Sequence, residues 1–388
     1  MQDCSLLSYE PSSMNSYDKK ELSMKLKDMI QTIELKYPTS LSESWDNVGL
    51  MVGDPERDIK KVLISIEANE AIINEAIKEQ ADVIVTHHPF LFKGLKRITT
   101  SDYKGRLIHS LIQHNIAIYS MHTNFDIAVD GLNDYFMELM GFSNTEILEV
   151  TSLEKLYKLV VYVPKSHEAA VRTALAQAGA GAIGNYSDCT FHMDGTGHFK
   201  PLQGANPYVG TVGELETVEE VRIECTVREA YLNSLIQQMR KVHPYETVAY
   251  DVIPLYNTGT ADGIGRIAKL SNQMNLEQVA LLIKEKLSMK TIRVVGDLKK
   301  PIHTVAVVTG SGSSYLNTAM KKGVDVLITG DLKYHEAQDA LDAGMCVIDC
   351  NHFDSEDIFK DAMKRFLETK LSIAVVTSQV SINPFCEL

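Results

Sequence analysis

Positive charge is in short supply in this sequence: 38 Lys and Arg stand against 51 Asp and Glu over 388 residues, a net charge of −13 with histidines neutral. That balance argues against broad binding to nucleic acid or to an anionic membrane and leaves room only for a local basic pocket. No apolar run reaches the ~18 residues that a membrane helix needs. The opening MQDCSLLSYEPSSMNSYDKK lacks a basic stretch followed by an apolar one, and it lacks arginine. It therefore reads neither as a secretory signal nor as a transit peptide. The six cysteines include no Cys-x-x-Cys pair, so they read as reduced thiols. Trp45 is the single tryptophan and is expected to pack, and no tract is of low complexity. These absences predict a cytoplasmic protein.

What is present is ordinary globular usage, 45% apolar and 23% charged. At roughly 150 residues per domain the length suggests two or three domains, large enough to bury their cores without a structural metal. Residues 1–18 are polar and read as a loose extension. From Lys19 an amphipathic pattern runs to Pro38. KVLISIE (61–67), ADVIVTHH (81–88) and NIAIYSMH (115–122) are apolar runs of strand length, separated by helical stretches. This alternation predicts a parallel sheet covered by helices.

Past residue 150 the rhythm changes. A strand at 155–164, a helix at 167–179, strands near 188–199 and 218–227, a helix at 228–242 and a strand at 247–255 give the order β-α-β-β-α-β of a ferredoxin-like unit. The α/β rhythm then returns with HTVAVVTG, VDVLITG and MCVIDC, each followed by a helical stretch. The expected architecture is an α/β body in two halves, 19–150 and 256–388, with a smaller α+β domain inserted at 151–255.

Three segments place metal-ligand side chains where a strand ends: His87 and His88 after ADVIVT, His122 and Asp126 after NIAIYSM, and His352 and Glu356 after MCVIDC. In open α/β sheets, ligands bind at the carboxyl ends of strands, so the three segments are candidates for one crevice. Any one of these residues could be a solvated loop side chain; their shared topological position is what points to a metal. Imidazole with carboxylate suits Zn, Fe, Mn, Co or Ni. On a helix, His352 and Glu356 would share one face. Adjacent histidines at a strand end can address two ions on either side of one carboxylate.

The segments WDNVGLMVGDP (45–55), DVIVTHHPFLFKGLKRI (82–98), YSMHTNFDIAVDGLND (119–134), VTGSGSSYL (308–316), GVDVLITGDLKYHEAQDA (323–340) and NHFDSE (351–356) resemble the Nif3-like family, from about Leu22 to the end. Its members are dinuclear-metal hexamers, often labelled GTP cyclohydrolase I type 2 homologues. GNYSDCTF, GTGHFKP and VHPYETVAYDVIPL resemble the PII/CutA-like insert of the longer bacterial members. The resemblance implies two divalent metal ions per chain, with His88 and Asp126 holding one, His87 and His352 the other, and Glu356 bridging both beside a shared water. It also implies a homohexameric ring, a trimer of dimers, and a purine nucleotide as ligand. His122 and His335 are the candidates for proton transfer or ligand orientation. Glu67 stands where the family more often has Asp and is left outside the metal set.

Among weaker signals, TGSGSS (309–314) lies between a strand and a helix without the Gly-Lys-Ser/Thr of a P-loop. A tight turn is the expected reading, with a nucleotide-phosphate role as the alternative. Lys93 and Arg97 are candidate phosphate holders. Asp46 and Asn47 could line the cleft or form a turn, and Cys346 and Cys350 read as buried thiols. His243–Glu246 with Glu214 and Glu216 forms a polar cluster in the insert. The leading functional expectation is a metal-dependent hydrolase resembling GTP cyclohydrolase I type 2. The alternatives are a metal-binding regulatory hexamer with a metabolite-sensing insert, or another two-metal hydrolase acting on phosphoesters or amides.

Overall fold

The computed structural model describes residues 22–386, so the extension expected at 1–18 lies outside the described residues. The chain divides into two compact units, a body formed by the segments up to Thr145 and from Ala268 onward, and an insert, Glu146–Ile267.

The first half of the body runs β1 (Met24–Lys25), α1 (Leu26–Lys36), β2 (Gly49–Val52), β3 (Asp58–Ile59), β4 (Lys61–Ser65), α2 (Glu70–Lys78), β5 (Val83–Thr86), α3 (Tyr103–Gln113), β6 (Ala117–Ser120), α4 (Thr123–Ile127) and α5 (Leu132–Met140). The apolar runs form strands β4, β5 and β6, paired in parallel as expected. Both faces of these strands are covered. Val62, Ile64, Val83 and Val85 face one core, whereas Leu63 and Ile84 face another beneath α2 and α3. Burial on both faces is why the strands read as unbroken apolar runs rather than as alternations.

The insert comprises β7 (Glu146–Pro164), α6 (Glu168–Gln177), β8 (Thr190–Phe199), β9 (Glu216–Arg228), α7 (Glu229–Val242) and the start of β10 (Tyr250–Asn275). Its sheet is antiparallel in the order β10-β7-β9-β8. Leu159, Val161, Val163, Ile223, Cys225 and Val227 alternate into a core closed by α6 and α7. The insert is wider than the 151–255 expected, because the β7–β10 ladder continues from Tyr250↔Val161 through several bulges to Ile267↔Glu146. Along those outer segments buried apolar residues are sparse, Leu148 and Ile264 among them, and polar residues and glycines separate them.

The second half of the body runs α8 (Leu276–Lys286), β11 (Arg293–Val295), β12 (Pro301–Ser311), α9 (Leu316–Lys321), β13 (Val326–Gly330), α10 (Tyr334–Asp342), β14 (Cys346–Asp349), α11 (His352–Glu356), α12 (Phe359–Lys370) and β15 (Ala374–Thr377). Strands β12, β13 and β14 are parallel, with β11 antiparallel at the edge. β15, which the sequence reading left unassigned, joins the first sheet, whose order is β15-β4-β5-β6-β2. One core unites the two sheets, with Met29 and Ile33 of α1, Phe136 of α5, Val279 of α8 and Phe359 of α12 packed with Val85 and Val307. Cys346 and Cys350 are buried in it as expected, and burial raises both thiol pKa values. No helix among the described residues is long and apolar enough to cross a membrane.

Asn133 ties the two halves of the body together. Fully buried on α5, it donates through Nδ2 to the Asp126 carbonyl at 3.0 Å and accepts from the Thr309 N–H at 3.0 Å. Asn133→Ala leaves a buried carbonyl and a buried N–H unpaired, at about 1–3 kcal/mol each. The metal-free variant is expected to unfold at clearly lower urea than the parent, and an unchanged midpoint would contradict this role.

Candidate metal centre

The side chains expected at strand ends meet at the carboxyl edges of both body sheets. His87 and His88 follow β5, His122 follows β6 and precedes α4, which carries Asp126, and β14 leads through Asn351 into α11, which carries His352 and Glu356. Asn351 has φ +58° and ψ 150°, a strained conformation that glycine alone adopts readily, and it turns the chain so that α11 starts on His352. The four-residue spacing then does what a helix face requires: His352 Nε2 lies 2.9 Å from Glu356 Oε2.

Glu356 is 3% exposed and stands at the centre. Its Oε2 is 2.8 Å from His88 Nε2, and its Oε1 is 3.6 Å from His87 Nε2. His87 Nε2 is also 3.7 Å from Asp126 Oδ1. These last two atoms are buried without a hydrogen-bond partner, an arrangement costly enough to need an explanation. A cation between them supplies one, and the nitrogen and oxygen donors suit a transition metal.

The distances thus group His87 with Asp126 and His88 with His352, on opposite oxygens of Glu356. The expected pairing, His88 with Asp126 and His87 with His352, is reversed. Strand alternation is the reason. His87 continues the parity of Val83 and Val85 into the core shared by both sheets, where its ring meets Phe359 at 5.1 Å. His88 turns the other way, toward α11, with ring centroids 5.3 Å from His352.

A second pattern is stronger than the first. In each of four histidines Nδ1 is tied back to an oxygen: His87 to the Met121 carbonyl at 2.9 Å, His88 to Glu67 at 3.0 Å, His122 to Asp46 at 2.9 Å and His352 to Asp331 at 2.8 Å. Holding the outer nitrogen fixes the ring and raises the basicity of the inner one, as metal-binding histidines require. Nitrogens of His87, His88 and His122 lie within 4.8 Å of one another, as do the donor atoms of His88, His352 and Glu356.

The electrostatics follow from this crowding. Burial opposes charge on His88, but hydrogen bonds to Glu356 and Glu67 outweigh it and raise its pKa to about 10. The hydrogen bond to Glu356 raises His352 to about 9. Burial works against the Glu356 carboxylate, yet His87, His352 and His88 hold it well below the usual range. Asp126 is raised by burial, only partly offset by His87 and His122. Burial opposes the charge of His122 too, and Asp46 and Asp126 raise it.

Asp46, Glu67 and Asp331 were not legible as imidazole partners. Asp46 in WDNVG was equally well explained by a turn, and Glu67 was left outside the metal set. Asp46 also accepts from the Thr123 N–H and hydroxyl, at 3.1 and 2.6 Å. His335 is exposed on α10 with its ring against Tyr334 and is not brought to this cluster. Trp45, expected to pack, is 57% exposed, 6.0 Å from the His122 ring and 6.1 Å from Phe92. Lys93 and Arg97 are exposed. The cavity beside the histidines, of about 330 Å³, is lined instead by Lys104 with Glu67, His88, Phe92 and His122. A larger cavity of about 520 Å³ on the body contains none of these histidines, and its Lys36 and Arg365 pair with Asp130 and Glu138. The TGSGSS turn spends its N–H groups internally: Gly310 donates to Ser355 Oγ at 3.0 Å and Gly312 to Thr329 Oγ1 at 2.8 Å.

Comparison with known proteins agrees in extent with this architecture. The sequence model of Duf34/NIF3 (NGG1p interacting factor 3) matches residues 24–384. A Bacillus subtilis protein named GTP cyclohydrolase 1 type 2 homolog is 42% identical over 362 residues, 92% of this chain and 97% of that one. One of the same name from Halalkalibacterium halodurans is 43% identical over the same shares. The crystal structure of a Bacillus cereus protein related to NIF3 superposes with a TM-score of 0.87 at 40% identity, covering 94% of this chain and 99% of that one.

Proposed function

The chain belongs to the Duf34/NIF3 family, and on that premise we propose that it is a metal-dependent hydrolase that opens the imidazole ring of GTP. One observation carries the metal-dependent part: buried imidazoles and carboxylates converge around Glu356, each imidazole with its outer nitrogen tied back. In this reading His87, Asp126 and Glu356 would hold one divalent ion, and His88, His352 and Glu356 a second. Zinc is the first choice, and Fe, Mn, Co and Ni share its donor preferences. When bound, such a pair supplies an acidified water and a Lewis acid.

The substrate is taken from the name the relatives carry. Water adds at C8 of the guanine, the C8–N9 bond breaks to leave a formamide, and a second water releases formate. His122 serves as the proton carrier. Its Nδ1 is fixed by the buried Asp46, so Nε2 is the nitrogen that exchanges protons with the attacking water and with N9. Lys104, held 2.9 Å from the Phe90 carbonyl at the cavity wall, is the cation available to the triphosphate. Trp45 lies beside His122, with Phe92 on Trp45, and the two aromatic rings offer faces to a purine.

The same proposal includes a homohexameric ring of cytoplasmic location, and an insert of ferredoxin-like, PII/CutA-like type. The insert's element order and its β10-β7-β9-β8 sheet support the latter reading.

The test is turnover by protein loaded separately with Zn, Mn, Fe or Co and given GTP, other nucleotides and phosphoesters, with formate measured and His88→Ala as control. Formate from GTP, absent in the variant, is the expected result. Cleavage of a different panel member would keep the two-metal hydrolase and replace the substrate. Silence from protein carrying two ions per chain would overturn the enzyme reading in favour of a regulatory metal-binding hexamer.

A further inference from the structure

The insert contains a cavity of its own, of about 270 Å³, remote in sequence from every residue of the metal centre. Phe199, Tyr208 and Tyr245 form its aromatic walls, and Glu220 and Glu246 are its charged groups. The rings of Phe199 and Tyr245 are 5.9 Å apart and inclined at 58°, and those of Tyr208 and Tyr245 are 6.3 Å apart at 47°. Rings so inclined enclose a space instead of stacking it shut.

The turn that delivers Tyr245 and Glu246 is held rigidly. Buried His243 accepts the Tyr245 N–H at Nδ1, at 3.1 Å, so its proton resides on Nε2, which donates to the Tyr162 carbonyl at 2.9 Å. Burial depresses the pKa of this ring, in keeping with its neutral form. Tyr245 in turn donates its hydroxyl to Glu220 Oε1 at 2.9 Å, and Glu246 Oε1 accepts the Asn206 N–H at 2.9 Å. Gly197 on β8 matters here through what it lacks, since a Cβ at that position would overlap Glu220 Oε2. Its absence leaves room for the second carboxylate oxygen. Among the described residues, neither Glu220 nor Glu246 forms an ion pair with a lysine or arginine, although ion pairs are frequent elsewhere on the same sheet, as at Lys158–Glu224 and Lys165–Glu219.

Two carboxylates without cations beside three π faces repel phosphates and other anions and favour a positive charge, because aromatic faces carry the negative end of the ring quadrupole. We propose that this cavity binds a small organic cation of the alkylammonium class, with Glu220 and Glu246 supplying charge and Phe199, Tyr208 and Tyr245 supplying faces. Its volume lies just below the range of about 300–1,000 Å³ typical of drug-sized ligands, which limits the occupant to a small metabolite. The site uses no residue of the metal centre, so the inference is independent of the hydrolase reading.

Calorimetric titration of the full-length protein tests it, with choline as the probe and its neutral isostere, in which a tert-butyl group replaces trimethylammonium, as the comparison. Choline is expected to bind at least about tenfold more tightly than the isostere. Glu220→Gln, which removes charge but keeps shape, is expected to cancel that preference without weakening the isostere, and Tyr208→Ala to weaken both. Circular dichroism checks that the variants are folded, and Glu246→Gln carries the same test if Glu220→Gln is not. Equal affinity for choline and the isostere would make the cavity a plain apolar slot. That result, undetectable choline binding, or a preference that survives both carboxylate substitutions would each overturn the proposal.

Discussion

Glu356→Gln is expected to weaken metal binding at both sides of the centre by at least about 100-fold, since removing merely the outer partner of a ligand already costs about 10–100-fold. One carboxylate serves both sides: Oε1 faces His87, and Oε2 lies 2.8 Å from His88 and 2.9 Å from His352. An amide keeps the volume and one oxygen but gives up the charge, and its nitrogen presents hydrogens to nitrogens that must bind metal. Metal analysis after dialysis checks this, and retention of two ions per chain would show that Glu356 does not bridge.

The same substitution has a signature without metal. In the parent protein Glu356 is the leading cause that raises His88 to about 10, with Glu67 adding to it, and His352 to about 9, with Asp331 adding to it. A histidine raised in the folded state contributes its full stabilisation below its unfolded pKa of about 6.5 and loses it as pH climbs through the folded value. The metal-free variant should therefore be destabilised most near pH 6, on the order of 3 kcal/mol for a broken buried pair, and should approach the parent as pH nears 10. Urea unfolding at several pH values reads this directly. A stability difference that grew with pH would mean that the pairing has been assigned to the wrong groups.

The second large effect is expected at Gly310, which lies in the TGSGSS turn but acts on the metal centre. Its φ is +66°, and a Cβ there would overlap Glu356 Oε1 and come within 3.5 Å of His352 Nε2. Gly310→Ala must therefore adopt a left-handed conformation, at roughly 1–2 kcal/mol, and also displace a buried carboxylate. Because Oε1 is the displaced atom, binding on the His87–Asp126 side should suffer more than on the His88–His352 side. Titration with Zn or Co should show the two sites of the parent reduced to one strong and one weak. If the turn were only a phosphate cradle, the variant would bind metal normally and lose only nucleotide affinity.

These cases indicate how far sequence reasoning reached. The parallel strands were legible because burial on both faces leaves unbroken runs such as VLIS and VIVT, and the candidate cluster because residues of metal-ligand type recur where such runs stop. The partners were not legible. Nothing local marks Asp46, Glu67 or Asp331 as the residue that will hold an imidazole 76 or 21 positions away. The reversed pairing has a similar origin, since which of two adjacent histidines turns inward depends on strand parity and on where the neighbouring helices lie. Gly310 showed as a turn residue, and its steric relation to Glu356 exists only in three dimensions. β15 was overlooked because its parallel partner β4 lies at the other end of the chain.

That last pairing constrains how the protein is made. β4 leaves the ribosome early, with one edge open and with His87, His88 and Asp126 soon to follow, but β15, His352 and Glu356 come about 300 residues later. At elongation rates of about 5–20 residues per second the nascent chain waits on the order of 15 to 60 s for its closing strand and for the carboxylate beside its histidines. The insert, which has a core of its own, can fold during that interval. A truncation that removes only β15 would leave this early edge permanently open to pairing with other chains.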